Sequence, residues 1–76
     1  MSIQDEALSA RAREALARDS RTGSQAIAVR VAQGEVFLKG IVDSQDQHEL
    51  AVMVTRGVTG VRYVNADELR VREVRE

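Results

Sequence analysis

The chain has no cysteine, no proline and no tryptophan, and its only aromatic residues are one Phe and one Tyr. Without cysteine there is no disulfide framework and no thiol chemistry, and the redox compartment stays open. With so few aromatics the core has to be assembled from Val, Leu, Ile and Ala. Seventy-six residues allow one small domain around such a core. Charge of one sign is also lacking: 11 basic and 12 acidic side chains leave a net charge of -1. A dedicated nucleic-acid binder is usually basic overall, so nucleic acid is not the expected partner, although a local basic patch is compatible with this balance. No apolar run approaches the length needed to span a bilayer. Met1 to Asp5 carries neither a basic n-region nor an apolar h-region, so it does not read as a signal peptide. The chain as given reads as cytoplasmic, or as periplasmic if it is a piece of a longer precursor. No repeat, low-complexity stretch or linker divides it. The expected domain is 1–76, with a core over about 5–72 and a charged tail at 73–76.

What is present is periodicity. Leu8, Ala12, Ala15 and Leu16 recur at helical spacing and predict a helix over 4–19, with Asp5 and Glu6 in its first turn and Arg18 in its last. Ser20 to Gln25 reads as a polar loop. Residues 26–32 alternate, Ile27, Val29 and Val31 on one face against Ala26, Ala28, Arg30 and Ala32 on the other. Gln33-Gly34 supplies a hairpin turn. The second strand runs to Val42, with Val36, Leu38, Gly40 and Val42 opposed to Phe37, Lys39 and Ile41. Ser44 followed by Gln47 is a capping box that opens a second helix. Its expected buried stripe is Leu50, Ala51, Val54 and Val58, with Gly57 as terminator and Gly60 in a turn. A last strand begins near Val61. The step from Ala66 to Leu69 is odd, so an alternating strand needs a bulge around Asn65-Ala66-Asp67-Glu68. The predicted fold class is α+β, in the order α-β-β-α-β, a three-stranded mixed sheet with two helices packed on one face.

Certain residues come in a recognisable order. Asp5, Leu8, Ala12, Leu16 and Asp19 open the chain. Val36, Leu38, Gly40 and Val42 follow Gly34-Glu35, and Val58, Gly60, Val61 and Val64 come later. Together these resemble the BON domain (bacterial osmotic-shock and nodulation domain) from about Asp5 to Val71. One departure is an apparent extra residue in Asn65-Ala66-Asp67-Glu68 before Leu69 and Val71. The resemblance implies a non-catalytic attachment module with no cofactor and no catalytic residue to carry over. The usual expectation for such domains is association with phospholipid surfaces. Protein interaction, oligomerisation and potassium binding are further roles the resemblance implies.

Alternation places Ala28, Arg30, Phe37, Lys39, Ile41, Tyr63, Arg70 and Arg72 on the sheet face away from the helices. Both aromatics and several cations gather there. Arg30, Phe37, Lys39, Ile41, Tyr63 and Arg70 are therefore the candidate contact residues for an anionic phospholipid surface or a protein partner. Val52, expected opposite the buried stripe of the second helix, and Met53 at its edge form a secondary contact for a possible homo-oligomer. Asp43, Asp46, His48 and Glu49 cluster at a helix start, where acids belong for electrostatic reasons, and His48 points away from the others; no metal site is expected. Gly57-Val58-Thr59-Gly60 matches the GxxG loop of KH domains in letters, but a strand follows it instead of a helix and no basic residue lies between the glycines. A potassium site would fall at Asn65–Glu68, where irregular backbone frees carbonyls.

Overall fold

The computed structural model describes residues 3–72. Five elements follow one another: α1 (Ile3–Arg18), β1 (Ala26–Ala32), β2 (Glu35–Val42), α2 (Gln45–Arg56) and β3 (Tyr63–Val71). The order is the expected α-β-β-α-β. The charged tail at 73–76 lies outside the described residues.

Helix α1 buries Leu8, Ala12 and Leu16, one residue per turn. Ala15, on the flank of that stripe, is half-buried. The helix stops at Arg18, one residue earlier than expected, because Asp19 has another use for its side chain. Its carboxylate accepts from the Arg21 backbone N–H at 2.9 Å, from Arg21 Nε at 3.0 Å and from Arg21 Nη2 at 2.8 Å. These bonds hold the Asp19 carboxyl at about 2, well below its ordinary 3.8. The loop that follows is not wholly polar in its packing. Thr22 is buried, and its hydroxyl donates to the Leu16 carbonyl at 2.8 Å. It thus satisfies one of the carbonyls a helix C-terminus leaves open.

β1 and β2 form an antiparallel hairpin from Ala26↔Ile41 to Ala32↔Glu35. Gln33 and Gly34, at φ 53° and 83°, are the two left-handed residues of a type I′ turn. β2 is the central strand and pairs in parallel with β3. A parallel pair needs a crossover, and α2 is that crossover. Between Phe37↔Asn65 and Lys39↔Glu68 the register slips by one residue, so β3 carries the expected bulge. It lets Val64 and Leu69 both face inward despite their odd spacing. Gly40, at φ 144°, lies where an added Cβ would come 2.3 Å from the Ala26 carbonyl oxygen. Only glycine fits that point of the central strand.

Ser44 caps α2, its hydroxyl accepting from the Gln47 N–H at 3.2 Å. The buried line of α2 is Ala51 and Thr55, with Leu50, Val54 and Val58 half-buried beside it. The Thr55 hydroxyl donates to the Ala51 carbonyl at 2.7 Å, so a polar residue sits in an apolar position at little cost. This phase corrects one expectation. Val52 does not stand opposite the buried stripe. It lies one step from Ala51 round the helix and packs against the core. Gly57 closes the helix in ordinary right-handed geometry, φ -76° and ψ -8°. Gly60, at φ 101°, makes the turn. β3 then starts at Tyr63, two residues later than expected, because Val61 is still bonded back to Val58.

α1 packs over β1, α2 packs over β3 and β2, and the two helices touch. The core between them and the sheet is Leu8, Ala12, Leu16, Val31, Val36, Leu38, Val42, Ala51 and Leu69. It is aliphatic throughout. The other face of the sheet carries no helix among the described residues.

Candidate functional site: the open face of the sheet

Strand register lays the open face out as four rows. Across β1, β2 and β3 they are Ala32–Glu35–Tyr63, Arg30–Phe37–Asn65, Ala28–Lys39–Glu68 and Ala26–Ile41–Arg70. The six residues expected as contacts are therefore brought to one surface. Tyr63 and Ile41 stand at opposite ends of it, 62% and 54% exposed. Phe37 is half-buried in the middle, and the Arg30 guanidinium lies 5.0 Å from its ring centroid. That stacking holds the cation over the ring and keeps its charge at the surface. Ala28 is too small to fill its row. A shallow depression of about 290 Å³ results, bordered by Arg30, Phe37, Lys39 and Glu68.

Three polar residues of this face were not among the expected contacts. Glu35 shares the parity of Phe37 and Lys39, so its position was readable. Asn65 shares the parity of Tyr63 and Glu68 that of Arg70, so each lies on the face on its own side of the bulge, although alternation gives no single parity across it. They change the electrostatics. Glu35 and Glu68 sit among Arg30, Lys39 and Arg70, and Lys39 is paired across the strands with Glu68. The face is a mosaic with a small cationic excess rather than a basic patch. Asn65 is held in place on both sides. Its amide nitrogen donates to Glu35 Oε2 at 3.3 Å, and its oxygen accepts from the Asp67 N–H at 3.0 Å. The side-chain oxygen at the bulge thus has a structural partner. Arg72 leaves the face: its backbone bonds the Val42 carbonyl, and its guanidinium pairs with Asp43 at 3.6 Å.

Elsewhere the expected clusters disperse. Asp43 is tied to Gln25 as well, donating its N–H to Gln25 Oε1 at 3.0 Å and accepting from Gln25 Nε2 at 3.2 Å. It clamps the open end of the hairpin. His48 is half-buried on the flank of α2, while Asp46 and Glu49 face solvent. Among the described residues no group of three or more His, Asp or Glu side chains converges on a point. Met53 is 64% exposed, as expected, but without Val52 beside it. Gly57 and Gly60 serve a helix end and a turn. One feature had no sequence signal: a cleft of about 820 Å³ at the hairpin end, where Asp5, Leu8 and Arg11 of α1 meet Gly34, Gly60 and Arg62. Gly34 is needed there, since a Cβ would lie 2.6 Å from the Arg62 side chain, and the Arg62 N–H bonds the Gly34 carbonyl at 2.9 Å.

The model of the BON domain family matches residues 4–73. The chain belongs to the BON domain family. It is also 40% identical over 74 residues to Osmotically-inducible protein Y of Escherichia coli (strain K12), a match covering 97% of this chain and 36% of that relative. The BON domain described here thus spans about a third of the length of the curated relative it matches. Its helices, hairpin and crossover strand bury the positions that carried the resemblance: Leu8, Ala12, Leu16, Val36, Leu38 and Val42. No described helix is long and apolar enough to cross a membrane.

Proposed function

We propose that this BON domain is a non-enzymatic attachment module of an osmotic-stress or envelope protein, and that it associates with anionic phospholipid surfaces through the open face of its sheet. The observation that carries this reading is the gathering of Arg30, Lys39 and Arg70 with Phe37, Ile41 and Tyr63 on one uncovered surface. A cation near an anionic leaflet gains about 1 kcal/mol. Glu35 and Glu68 offset most of that, so the face is drawn in by a small net charge. Insertion of the exposed Ile41 and Tyr63 side chains then adds about 1 kcal/mol each at the interface. One domain therefore binds weakly and reversibly, as suits a module that acts beside other parts of a longer protein.

The test is co-sedimentation with vesicles of phosphatidylglycerol or of phosphatidylcholine across a salt series. Binding to the anionic vesicles that falls as salt rises, and strengthens in Glu68→Gln, supports the reading. Equal binding to both vesicle types, or none, overturns it. The mosaic of charges favours a second reading, docking on a protein with the complementary pattern. There Glu68→Gln removes an attraction, so the variant weakens binding instead of strengthening it.

A further inference from the structure

The two edges of the sheet differ in kind. β3 is bulged and carries Asp67, Glu68 and Arg70 along its length. Such features keep an edge from pairing with another chain. β1 has no bulge and only one charge. Its seven residues pair with β2 in unbroken register, without proline or lysine, and Arg30 is its only charge. The type I′ turn makes Ala32↔Glu35 a hydrogen-bonded pair, so Ala26, Ala28 and Arg30 also bond to β2. The N–H and C=O groups of Ile27, Val29 and Val31 therefore point outward, and no described residue bonds them.

The sequence of this edge, Ala26-Ile27-Ala28-Val29-Arg30-Val31-Ala32, is nearly the same read in either direction about Val29. About a twofold axis at Val29 each contact between copies is made twice, and this near-symmetry sets residues of similar size and polarity opposite one another at every pair but Ala28 and Arg30. We propose that β1 is a homodimer edge, pairing antiparallel with β1 of a second copy about Val29. Val29 exchanges both backbone bonds with Val29 of the second copy, and Ile27 does so with Val31 on each side. Ala26 then meets Ala32, and Ala28 meets Arg30, so the only charged side chain of the strand never faces its own copy. α1 supports the same axis. It runs antiparallel to β1, Asp5 reaching Gln33 at one end and Ala17 lying by Ile27 at the other. Between it and the edge lies a depression of about 440 Å³ lined by Glu6, Ser9, Arg13, Val29 and Val31. A twofold axis through Val29 sets the Glu6 end of one helix against the Arg13 end of its copy. The resulting six-stranded sheet joins two open faces into one.

Ala28 is exposed and lies opposite Arg30 of the second copy twice in the pair. Ala28→Arg should weaken the dimer and Ala28→Glu should tighten it, each by about tenfold in Kd. Analytical ultracentrifugation up to millimolar concentration reads this, with circular dichroism confirming that both variants are folded. Amide exchange supplies the second readout. The Ile27, Val29 and Val31 N–H groups should be open in dilute protein and protected in concentrated protein, while those of Ala28 and Arg30 are protected in both. A monomer at every concentration overturns the proposal. So does a dimer whose three edge amides stay open, or one indifferent to the sign of charge at position 28. No lipid is present in these measurements, so they succeed or fail independently of the membrane reading.

Discussion

At the scale of single residues, the polar groups that matter most are those whose bonds close the backbone. Asp19 is the plainest case. Its hydrogen bonds from Arg21 lower its carboxyl to about 2 from 3.8. Because the folded value lies below the unfolded one, the stabilisation is full above 3.8 and is lost as pH falls from there through about 2. A carbon-detected NMR titration should place the Asp19 midpoint near 2 in the native chain, and in Arg21→Ala it should return toward 3.8. The glycines divide by backbone geometry. Gly40→Ala forces a Cβ onto the Ala26 carbonyl in a left-handed conformation, and should cost about 3 kcal/mol or more. Gly57 is right-handed, and a Cβ there would meet only the Val54 and Met53 carbonyl oxygens at ordinary contact distances of 3.5 and 3.7 Å. Gly57→Ala should be neutral or stabilise by about 0.4–1 kcal/mol. Urea unfolding of the two variants checks both, and a Gly40→Ala variant as stable as the native chain would contradict the packing described for β2.

At the scale of elements, periodicity made the fold legible. Two apolar stripes gave the helices, and strict alternation gave β1 and β2 with the correct faces. What alternation cannot carry is phase across a break. The β3 bulge was expected from the odd step to Leu69, but its placement between Asn65 and Glu68, which keeps both on the open face, was not pinned by alternation. Thr22 and Thr55 were hidden for a related reason. Each is polar by type yet sits at a core position, its hydroxyl satisfied by a carbonyl one helical turn or loop away. Thr55 is four residues from Ala51 and was recoverable by spacing. Thr22 depends on how a loop folds back and was not. Val52 was misplaced because a helix with a stripe as narrow as Ala51–Thr55 leaves its rotation open to one residue either way. The bulge makes a deletion prediction. Removing Asp67 restores regular pairing and leaves Leu69 facing the core, so it should change stability by no more than about 1 kcal/mol. Removing Lys39, equally exposed but in the unbulged central strand, turns Val42 outward and should abolish folding. Thermal melting of the two deletions distinguishes these outcomes.

At the scale of the whole molecule, the division of labour is between two faces of one sheet. The helix side spends the aliphatic residues on a core, and the open side keeps both aromatics and most of the sheet's charge. Family membership accounts for the first side, and attachment is the role proposed for the second. The most direct test of that role is an amide-resolved NMR titration of the labelled domain with anionic bicelles at low and raised salt. Shifts confined to Arg30, Phe37, Lys39, Ile41, Tyr63 and Arg70 that fade as salt rises are the expected result. Shifts on the helix side, or none at either salt, would contradict that role.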